Sequence, residues 1–315
     1  MSAKVISGKD VSAGIKADLI RRVEELGKKG VVPGLAAILV GDHPASVVYV
    51  GMKEHDCQSV GVNSATHNLS ATCSQDELMA TIRACNDDPA IHGILLQHPL
   101  PSGLDEDAAI RAMDPVKDID GVTPASFGEL VVGRPGMASP TALGAMALLK
   151  STGVPISGKR AVVIGRSNIL GKPLCWLLLQ ENATVTVCHS RTVDLPSVTR
   201  EADILFAAIG KPEFITAKYI RPGAIVIDCG YNRIPNRKGD VGDVESASVS
   251  EVASWISPVP GGVGPTGRAM LVANCVRAAE IKAEGCRLKG SPVIPAKLGI
   301  QERRSATQRC VDARV

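Results

Sequence analysis

The sequence predicts an α/β protein of two domains, each built on a parallel sheet that is covered by helices on both faces. Short apolar runs alternate with helical segments along the body of the chain, a pattern typical of parallel sheets. At 315 residues the chain is long for a single hydrophobic core. Aromatic residues make up only 3% of it, so Val, Ile, Leu and Ala must fill the interior.

The first half has a β-α-β-α-β rhythm. GLAAILVG at 34–41 predicts a buried strand, and HGILLQHPLP at 92–101 predicts another that ends in a rigid proline turn. Helices are predicted at 45–60 and at 74–87, the second with a serine N-cap and an acidic first turn. Such a unit places the carboxyl ends of its strands at one rim, where ligands bind.

Two side chains of the helix predicted at 45–60 share a face. Tyr49 and Lys53 are four positions apart, which is just over one helical turn. Taken alone, the pair is compatible with a solvent-exposed lysine beside a tyrosine at the edge of the core. Because Lys53 follows one predicted strand and Gln97 ends another, we expect these two side chains to meet at one rim.

The second half predicts a Rossmann-type nucleotide-binding unit. Four apolar strands with short crossovers follow one another, at residues 159–165, 183–190, 202–210 and 223–230. A helix at 170–182 follows the first of these strands. A later helix at 266–284 comes after the unit, and we expect it to return and pack on the first domain.

The turn after the first of these strands predicts a phosphate site at a helix N-terminus. GRSNILG carries Gly165 and Gly171, but Ser167 stands where a dinucleotide fingerprint has its second glycine. As a motif alone it is weak, and a tight turn without a ligand is the alternative. The free N–H groups and positive dipole end of a helix N-terminus favour the phosphate.

The end of the next strand favours NADP over NAD. NAD sites usually carry an acidic residue there, which accepts the ribose hydroxyl. This strand instead ends in CHSRT at 188–192, which offers a hydroxyl and a cation, and a second cation lies in the loop beside it. This set suits a 2′-phosphate, although Arg191 could simply point to water. The candidate cofactor residues are Gly165, Arg166, Ser167, Gly171, Ser190 and Arg191.

Composition and charge argue against several function classes. Nine dispersed cysteines without a C-x-x-C pair indicate reduced thiols, so neither disulfides nor a metal site are predicted. No apolar run approaches the roughly 20 residues of a membrane helix, and the start lacks an apolar signal core. From residue 286 onward the chain carries +5, so the body carries −2 and is not expected to bind nucleic acid. We expect a cytoplasmic protein.

Six segments of the chain occur together in a characteristic order. They are YVGMK at 49–53, GILLQHPLP at 93–101, KDIDG at 117–121, GRSNILGKP at 165–173, ATVTVCHS at 183–190 and PVPGGVGP at 258–265. In this order the set resembles bifunctional methylenetetrahydrofolate dehydrogenase/methenyltetrahydrofolate cyclohydrolase. The resemblance covers about residues 3 to 285, and all six segments in register make it highly specific.

The resemblance implies a role for each matched residue. Lys53 would be the central catalytic residue, with Gln97 hydrogen-bonded to it. Asp120 would grip the amino-pyrimidine edge of the pterin, while Tyr49 would act beside the folate ring system in binding and catalysis. Arg166 and Ser190 would hold the 2′-phosphate of NADP. The residues that would line the folate cleft are Tyr49, Asp120, Gly264 and Pro265.

The same resemblance implies the function and the organisation of the chain. The protein would oxidise 5,10-methylenetetrahydrofolate to 5,10-methenyltetrahydrofolate with NADP and hydrolyse that product to 10-formyltetrahydrofolate, as a homodimer in one-carbon metabolism. A folate-binding catalytic domain at 1–145, joined by the returning helix 266–285, would face an NADP-binding domain at 146–265 across a cleft. The basic tail at 286–315 is expected to be poorly ordered.

Three departures from the family pattern leave the balance of the two activities open. SPTA at 139–142 replaces the usual Pro-Cys-Thr-Pro, and PTGR at 265–268 replaces Pro-Met-Thr or Pro-Met-Val. His98 stands where Leu is commoner, either as an extra proton carrier or as a packing residue of the turn. Two other functions stay open: an NADP-dependent dehydrogenase of another small substrate that uses Lys53 and Asp120, and a nucleotide-binding regulatory protein with a vestigial cleft.

Overall fold

The strands within the described part of the chain form two all-parallel sheets and one two-stranded antiparallel ladder. The computed structural model describes residues 2–134, 136–235, 237 and 239–284, so the tail predicted at 286–315 lies outside it. Helices cover both parallel sheets, which confirms the predicted α/β fold class. Within the described ranges, no helix is long and apolar enough to cross a membrane.

The first half of the chain builds the smaller sheet and its helices. The elements in chain order are β1 (Lys4–Val5), α1 (Gly8–Lys28), β2 (Gly34–Val40), α2 (Pro44–Gln58), β3 (Asn63–Leu69), α3 (Gln75–Asp87), β4 (Gly93–Leu96), α4 (Glu106–Ala112) and α5 (Pro124–Val131). The sheet has the order β3-β2-β4. Alternate residues of the central strand β2 belong to two separate hydrophobic clusters, one on each face of the sheet.

The edge strand β3 is the part of this sheet that the sequence analysis does not predict. Its residues NSATHNL are mostly polar, and none of them is fully buried. A strand at the edge of a sheet needs no continuous apolar run, so the signal that predicts β2 and β4 is missing. The helices predicted at 45–60 and 74–87 are present as α2 and α3.

The second half builds the larger sheet, with the order β1-β11-β8-β7-β5-β6. All four of its predicted strands are present, as β5 to β8. The elements in chain order are α6 (Pro140–Ser151), β5 (Arg160–Ile164), α7 (Gly171–Gln180), β6 (Thr184–Cys188), α8 (Leu195–Thr199), β7 (Ile204–Ala207), a 3₁₀ turn (Ala217–Tyr219), β8 (Ile225–Asp228), β9 (Asn232–Arg233), β10 (Asp240–Val241), α9 (Ser246–Val252), β11 (Trp255–Ile256) and α10 (Val263–Ala283).

The first strand of the chain belongs to this second sheet. β1 pairs in parallel with β11, and Lys4 lies opposite Trp255. The pairing satisfies backbone groups of β11 that would otherwise form an open sheet edge. The prediction that assigns residues 1–145 to the first domain is therefore wrong for residues 4–5. A strand of two residues has no period that sequence analysis could detect.

The buried helices α6 and α10 connect the two halves. A Cβ atom on Gly144 of α6 would lie 2.6 Å from the backbone N of Gly267 in α10, so this close crossing requires glycine at position 144. One hydrophobic cluster runs from β2 and β4 through these helices to β5 and β7. The boundary predicted between residues 145 and 146 thus falls inside a buried helix, and the helix predicted from 266 begins at Val263.

Candidate active site

Lys53 and Gln97 meet at the carboxyl rim of the smaller sheet. The Nζ atom of Lys53, on α2, donates a hydrogen bond to Oε1 of Gln97 at 3.1 Å. Gln97 directly follows β4, and its backbone N donates to the carbonyl of Ile38 in β2. Its side-chain Nε2 donates to the carbonyl of His98 at 2.7 Å. The amide oxygen is thereby fixed towards the lysine, and the structure brings together the two residues as the sequence analysis expects.

Tyr49 lies on the same helix and is 40% exposed. Tyr231, from the segment after β8 in the other half of the chain, lies close to it across the cleft. The hydroxyl of Tyr231 donates to Oδ2 of Asp240 at 2.6 Å. This hydrogen bond, burial and the neighbouring Tyr49 raise the pKa of Tyr231 to about 12. The sequence analysis misses Tyr231, because only the folded chain brings it to Tyr49.

Asp120 projects from a turn that several buried groups hold in place. The carboxylate of Asp118 accepts hydrogen bonds from the backbone N atoms of Val122 and Thr123. Nδ2 of Asn274, on α10, donates to the carbonyl of Ile119 at 2.7 Å. These contacts fix the backbone on both sides of Asp120, which is half-buried. The sequence analysis predicts Asp120 but not the residues that support it.

The charges of Lys53 and Asp120 influence each other across the site. Burial lowers the pKa of the Lys53 amine, and the negative charge of Asp120 opposes this shift. Burial raises the pKa of the Asp120 carboxyl, against the opposing influence of Lys53 and His98. A lysine whose pKa is lowered is neutral at lower pH than an exposed one, so it can accept a proton.

The Gly/Pro-rich segment 258–265 ends in a helix start. Since α10 begins at Val263, Gly264 and Pro265 belong to its first turn and not to a loop. Proline is tolerated there because the first N–H groups of a helix have no partner within it. Gly264 is exposed, and no atom would lie within 4 Å of a Cβ added to it. This turn therefore presents an open backbone surface.

The nucleotide loop joins β5 to α7 through a close approach of the backbone. A Cβ atom on Gly171 would lie 2.4 Å from the carbonyl O of Gly165, and one on Gly165 would lie 2.2 Å from that of Ala208. Both positions therefore require glycine. The Oγ atom of Ser167 accepts a hydrogen bond from the backbone N of Gly171 at 3.3 Å, which closes the loop.

Arg166 and Ser190 are placed at the ends of adjacent strands. The backbone N of Gly165 donates to the carbonyl of Cys188 at 2.9 Å, so β5 and β6 remain paired up to their carboxyl ends. Arg166, Ser190 and Arg191, which follow these ends, are all exposed. The segment after β6 contains no acidic residue up to position 193, so the donor set at this rim fits a phosphate-bearing ribose.

Two buried aspartates behind the cofactor rim are also missed by the sequence analysis. The carboxylate of Asp243 accepts hydrogen bonds from the backbone N atoms of Ile209, Gly210 and Lys211. Asp228, at the end of β8, likewise accepts backbone N–H groups, and burial raises its pKa to about 6. For Asp228 the sequence does carry a signal, because an aspartate at the end of an apolar strand indicates a buried acceptor of backbone N–H groups.

The three departures from the family pattern lie in two places, one in the turn after β4 and two at the crossing of α6 and α10. Nδ1 of His98 lies 3.2 Å from a carboxylate oxygen of Glu106 in α4, which favours its interpretation as a packing residue of the turn. SPTA and PTGR meet each other, because a Cβ atom on Gly267 would lie 3.5 Å from the Cα of Thr141. The two replaced segments therefore share the crossing of α6 and α10.

A Rossmann-type lobe with a phosphate-compatible rim faces a half-buried amine on the other lobe, and this arrangement defines a dinucleotide-dependent enzyme. A family model described as the tetrahydrofolate dehydrogenase/cyclohydrolase catalytic domain matches residues 6–120. A second model, for the NAD(P)-binding domain of the same enzymes, matches residues 139–283. The chain belongs to the tetrahydrofolate dehydrogenase/cyclohydrolase family.

Curated relatives support this membership over almost their whole length. The chain is 49% identical over 283 residues to "Bifunctional protein FolD 2" of Geobacter metallireducens, which covers 90% of this chain and 99% of that protein. It is 50% identical over 284 residues to "Bifunctional protein FolD" of Acetivibrio thermocellus, again over 90% of this chain and 99% of the relative.

Solved structures agree with the fold. The crystal structure of the bifunctional FolD methylenetetrahydrofolate dehydrogenase/cyclohydrolase from Campylobacter jejuni gives a TM-score of 0.87 at 41% identity, over 89% of this chain and all of that one. A Trypanosoma brucei FolD complexed with NADP and an inhibitor gives a TM-score of 0.85 at 36% identity, over 90% of this chain and 99% of that one.

The mutual influence of Lys53 and Asp120 predicts the effect of Asp120→Asn on the amine. Removal of the negative charge that opposes the burial effect should lower the pKa of Lys53 further. The pH dependence of the reaction of Lys53 with an amine reagent, followed by mass spectrometry of the peptide, measures this pKa. Exposed Lys29 in the same sample is the control. An unchanged or raised pKa of Lys53 would contradict the assigned coupling.

Proposed function

We propose that the protein catalyses two consecutive reactions of one-carbon metabolism. It oxidises 5,10-methylenetetrahydrofolate to 5,10-methenyltetrahydrofolate with NADP and then hydrolyses this product to 10-formyltetrahydrofolate. The relatives named bifunctional FolD support both activities. The observation that carries the proposal is the contact of Lys53 Nζ with Gln97 Oε1 at 3.1 Å, on the rim opposite the nucleotide-binding lobe.

The folate substrate would bind between the two lobes. The carboxylate of Asp120 would accept N–H groups of the pterin edge, in a charge-assisted contact that fixes the orientation of the ring. Tyr49 would flank the ring system, and the open backbone of Gly264 and Pro265 would form part of the opposite wall. We accordingly propose a folate-binding domain at residues 1–145 and an NADP-binding domain at residues 146–265, with residues 4–5 in the sheet of the second domain.

The cofactor would be held by the rim of the larger sheet. Arg166 and Ser190 would contact the 2′-phosphate, and the loop between Gly165 and Gly171, at the positive dipole end of α7, would face the pyrophosphate. The cofactor NADP supplies the acceptor for the hydride that leaves the methylene carbon. The chain contributes alignment: the two lobes hold the folate and nicotinamide carbons at reacting distance. Ser167 shapes the loop, and Arg191 adds a second positive charge beside the phosphate.

The hydrolytic step requires movement of protons, which Lys53 would provide. Water attacks the carbon of the methenyl cation and forms a C–O bond, and the neutral amine accepts the proton that the water loses. The bond from this carbon to N5 then breaks, Lys53 returns its proton to N5, and the hydroxyl proton leaves to solvent. The formyl group remains on N10. Gln97 keeps the amine directed without adding a charge that would hold its proton.

Replacement of Lys53 by Met tests this mechanism. The variant should lose methenyltetrahydrofolate hydrolysis by at least about a hundredfold, since proton transfer typically contributes this much or more. Its dissociation constant for NADP should stay near the wild-type value, because Lys53 lies on the other lobe. Lys29→Met, at an exposed helix end, is the matched control. An unchanged hydrolysis rate in Lys53→Met would remove the proposed role of the amine.

The choice of NADP is tested by Ser190→Asp. A carboxylate at this position would repel the 2′-phosphate and accept the ribose hydroxyls of NAD instead. We expect the KM for NADP to rise by about tenfold or more, with little change or a gain in the use of NAD. Ser246→Asp, at the exposed first residue of α9 in the same lobe, should leave both values unchanged. Equal KM values for NADP before and after Ser190→Asp would refute the assignment.

We also propose that the protein is a homodimer in the cytoplasm. The seven cysteines within the described ranges are free, which supports a reducing compartment. β6 is an edge strand of the larger sheet, and its Val187 is 44% exposed. Nearby on α7, Leu179 is 52% exposed. An apolar strand edge of this kind is suited to pairing with a second copy of the chain.

Val187→Lys should therefore convert the dimer into monomers, because it places a charge in the centre of the proposed contact. The molar mass of the full chain is measured by light scattering after size-exclusion chromatography. Val193→Lys is the matched control, since Val193 is 88% exposed and lies outside the strand. A wild-type monomer, or a Val187→Lys dimer as stable as the wild type, would contradict the proposed interface.

A further inference from the structure

Asp56 is a buried acid one helical turn beyond Lys53 on α2, and it takes no part in the proposed chemistry. It is 3% exposed. Its carboxylate accepts a hydrogen bond from Nζ of Lys16, on α1, at 2.5 Å, and from Nε of Arg268, on α10, at 2.7 Å. One carboxylate therefore links α1, α2 and α10, three residues beyond the reactive lysine on α2.

The Asp56 carboxylate is ionised in the folded protein. Burial alone would raise its pKa, but the hydrogen bonds and charges of Lys16 and Arg268 outweigh burial and hold the pKa below its usual value. A buried charge that loses a partner is strongly unfavourable. Any movement of α2 relative to α1 or α10 would separate these charges, so the cluster opposes such movement.

Arg268 connects this cluster to the folate-facing turn of α10. It follows Pro265 by three residues, within the segment PTGR that departs from the family pattern. Its Nη1 atom also lies 3.8 Å from the sulfur of Met52, the residue immediately before Lys53. Arg268 thus touches α2 on both sides of the reactive lysine and holds it against the start of α10.

We propose that Arg268 and Asp56 are positioning residues that fix the Lys53 amine relative to the Gly264–Pro265 turn. The inference rests on the proposed function, because Lys53 must be held at a set distance from the one-carbon bridge. It also gives the PTGR segment a role, because its arginine orients α2.

The test compares Arg268→Met with Arg22→Met in the full-length protein. Arg22, on α1, pairs with Glu280 of α10 at 2.7 and 2.8 Å, so its loss also removes an ion pair of α10 without touching α2. The kcat and KM of methenyltetrahydrofolate hydrolysis, the dissociation constant for NADP and the thermal midpoint are measured for each. Arg268→Lys, which keeps the cation, is the rescue variant.

We expect Arg268→Met to lower the kcat of hydrolysis by about tenfold or more while NADP binding is unchanged, since small misplacements are costly in rate. Arg22→Met should keep the wild-type kcat at a comparable loss of thermal midpoint, and Arg268→Lys should recover most of the rate. A wild-type kcat in Arg268→Met, or an equal loss in Arg22→Met, would overturn the inference.

Amide hydrogen exchange separates this inference from the proposed function. Exchange in α2 should increase in Arg268→Met and not in Arg22→Met, whether or not the wild type hydrolyses methenyltetrahydrofolate. A wild type without hydrolytic activity would refute the proposed function alone. Equal exchange of α2 in wild type and Arg268→Met would refute the positioning role alone.

Discussion

The enclosed position of the Lys53 amine is the constraint on which the rest of the site depends. Burial removes hydration from an ammonium ion and so favours the neutral amine. A carboxylate in direct contact would cancel this effect, because its negative charge would keep the lysine protonated. The chain instead offers the uncharged oxygen of Gln97 at 3.1 Å. Gln97 therefore orients the amine without adding a negative charge beside it, and Asp120 influences the amine only through its electrostatic field. The fold meets this requirement in two ways. The ends of β2 and β4 place Gln97, and one face of α2 places Lys53.

The two lobes meet this requirement because they share one interior. The hydrophobic cluster that passes through α6 and α10 reaches the inner faces of both sheets, so the cleft walls are surfaces of a continuous core. Asn274 and Arg268 extend polar contacts from the same helix α10, the first to the Asp120 turn and the second to α2. The Asp120 turn and α2, which are distant in sequence, are therefore both held by the same helix.

Sequence analysis predicts those features that depend on residues close together in the chain, and it misses those that depend on contacts between distant residues. β2, β4, β5, β7 and β8 are largely buried on both faces, and their apolar runs predict them directly. The edge strand β6 is also predicted, although most of its residues are exposed. The polar edge strand β3 and the two-residue strands β1 and β11 leave no such pattern. In the site, Lys53 and Gln97 are predictable from rim positions. Tyr231 and Asp56 are not, since Arg268, one of the two partners of Asp56, lies 212 residues away and no local period encodes that contact.

The pairing of β1 with β11 has an evolutionary consequence. The chain begins in the sheet of one lobe, builds the other lobe, returns to complete the first and finally runs back along α1 in α10. Neither half is a contiguous stretch, so recombination at a single crossover could not exchange one lobe for a foreign module without opening a sheet edge. The catalytic and NAD(P)-binding halves of such a chain are expected to be inherited together.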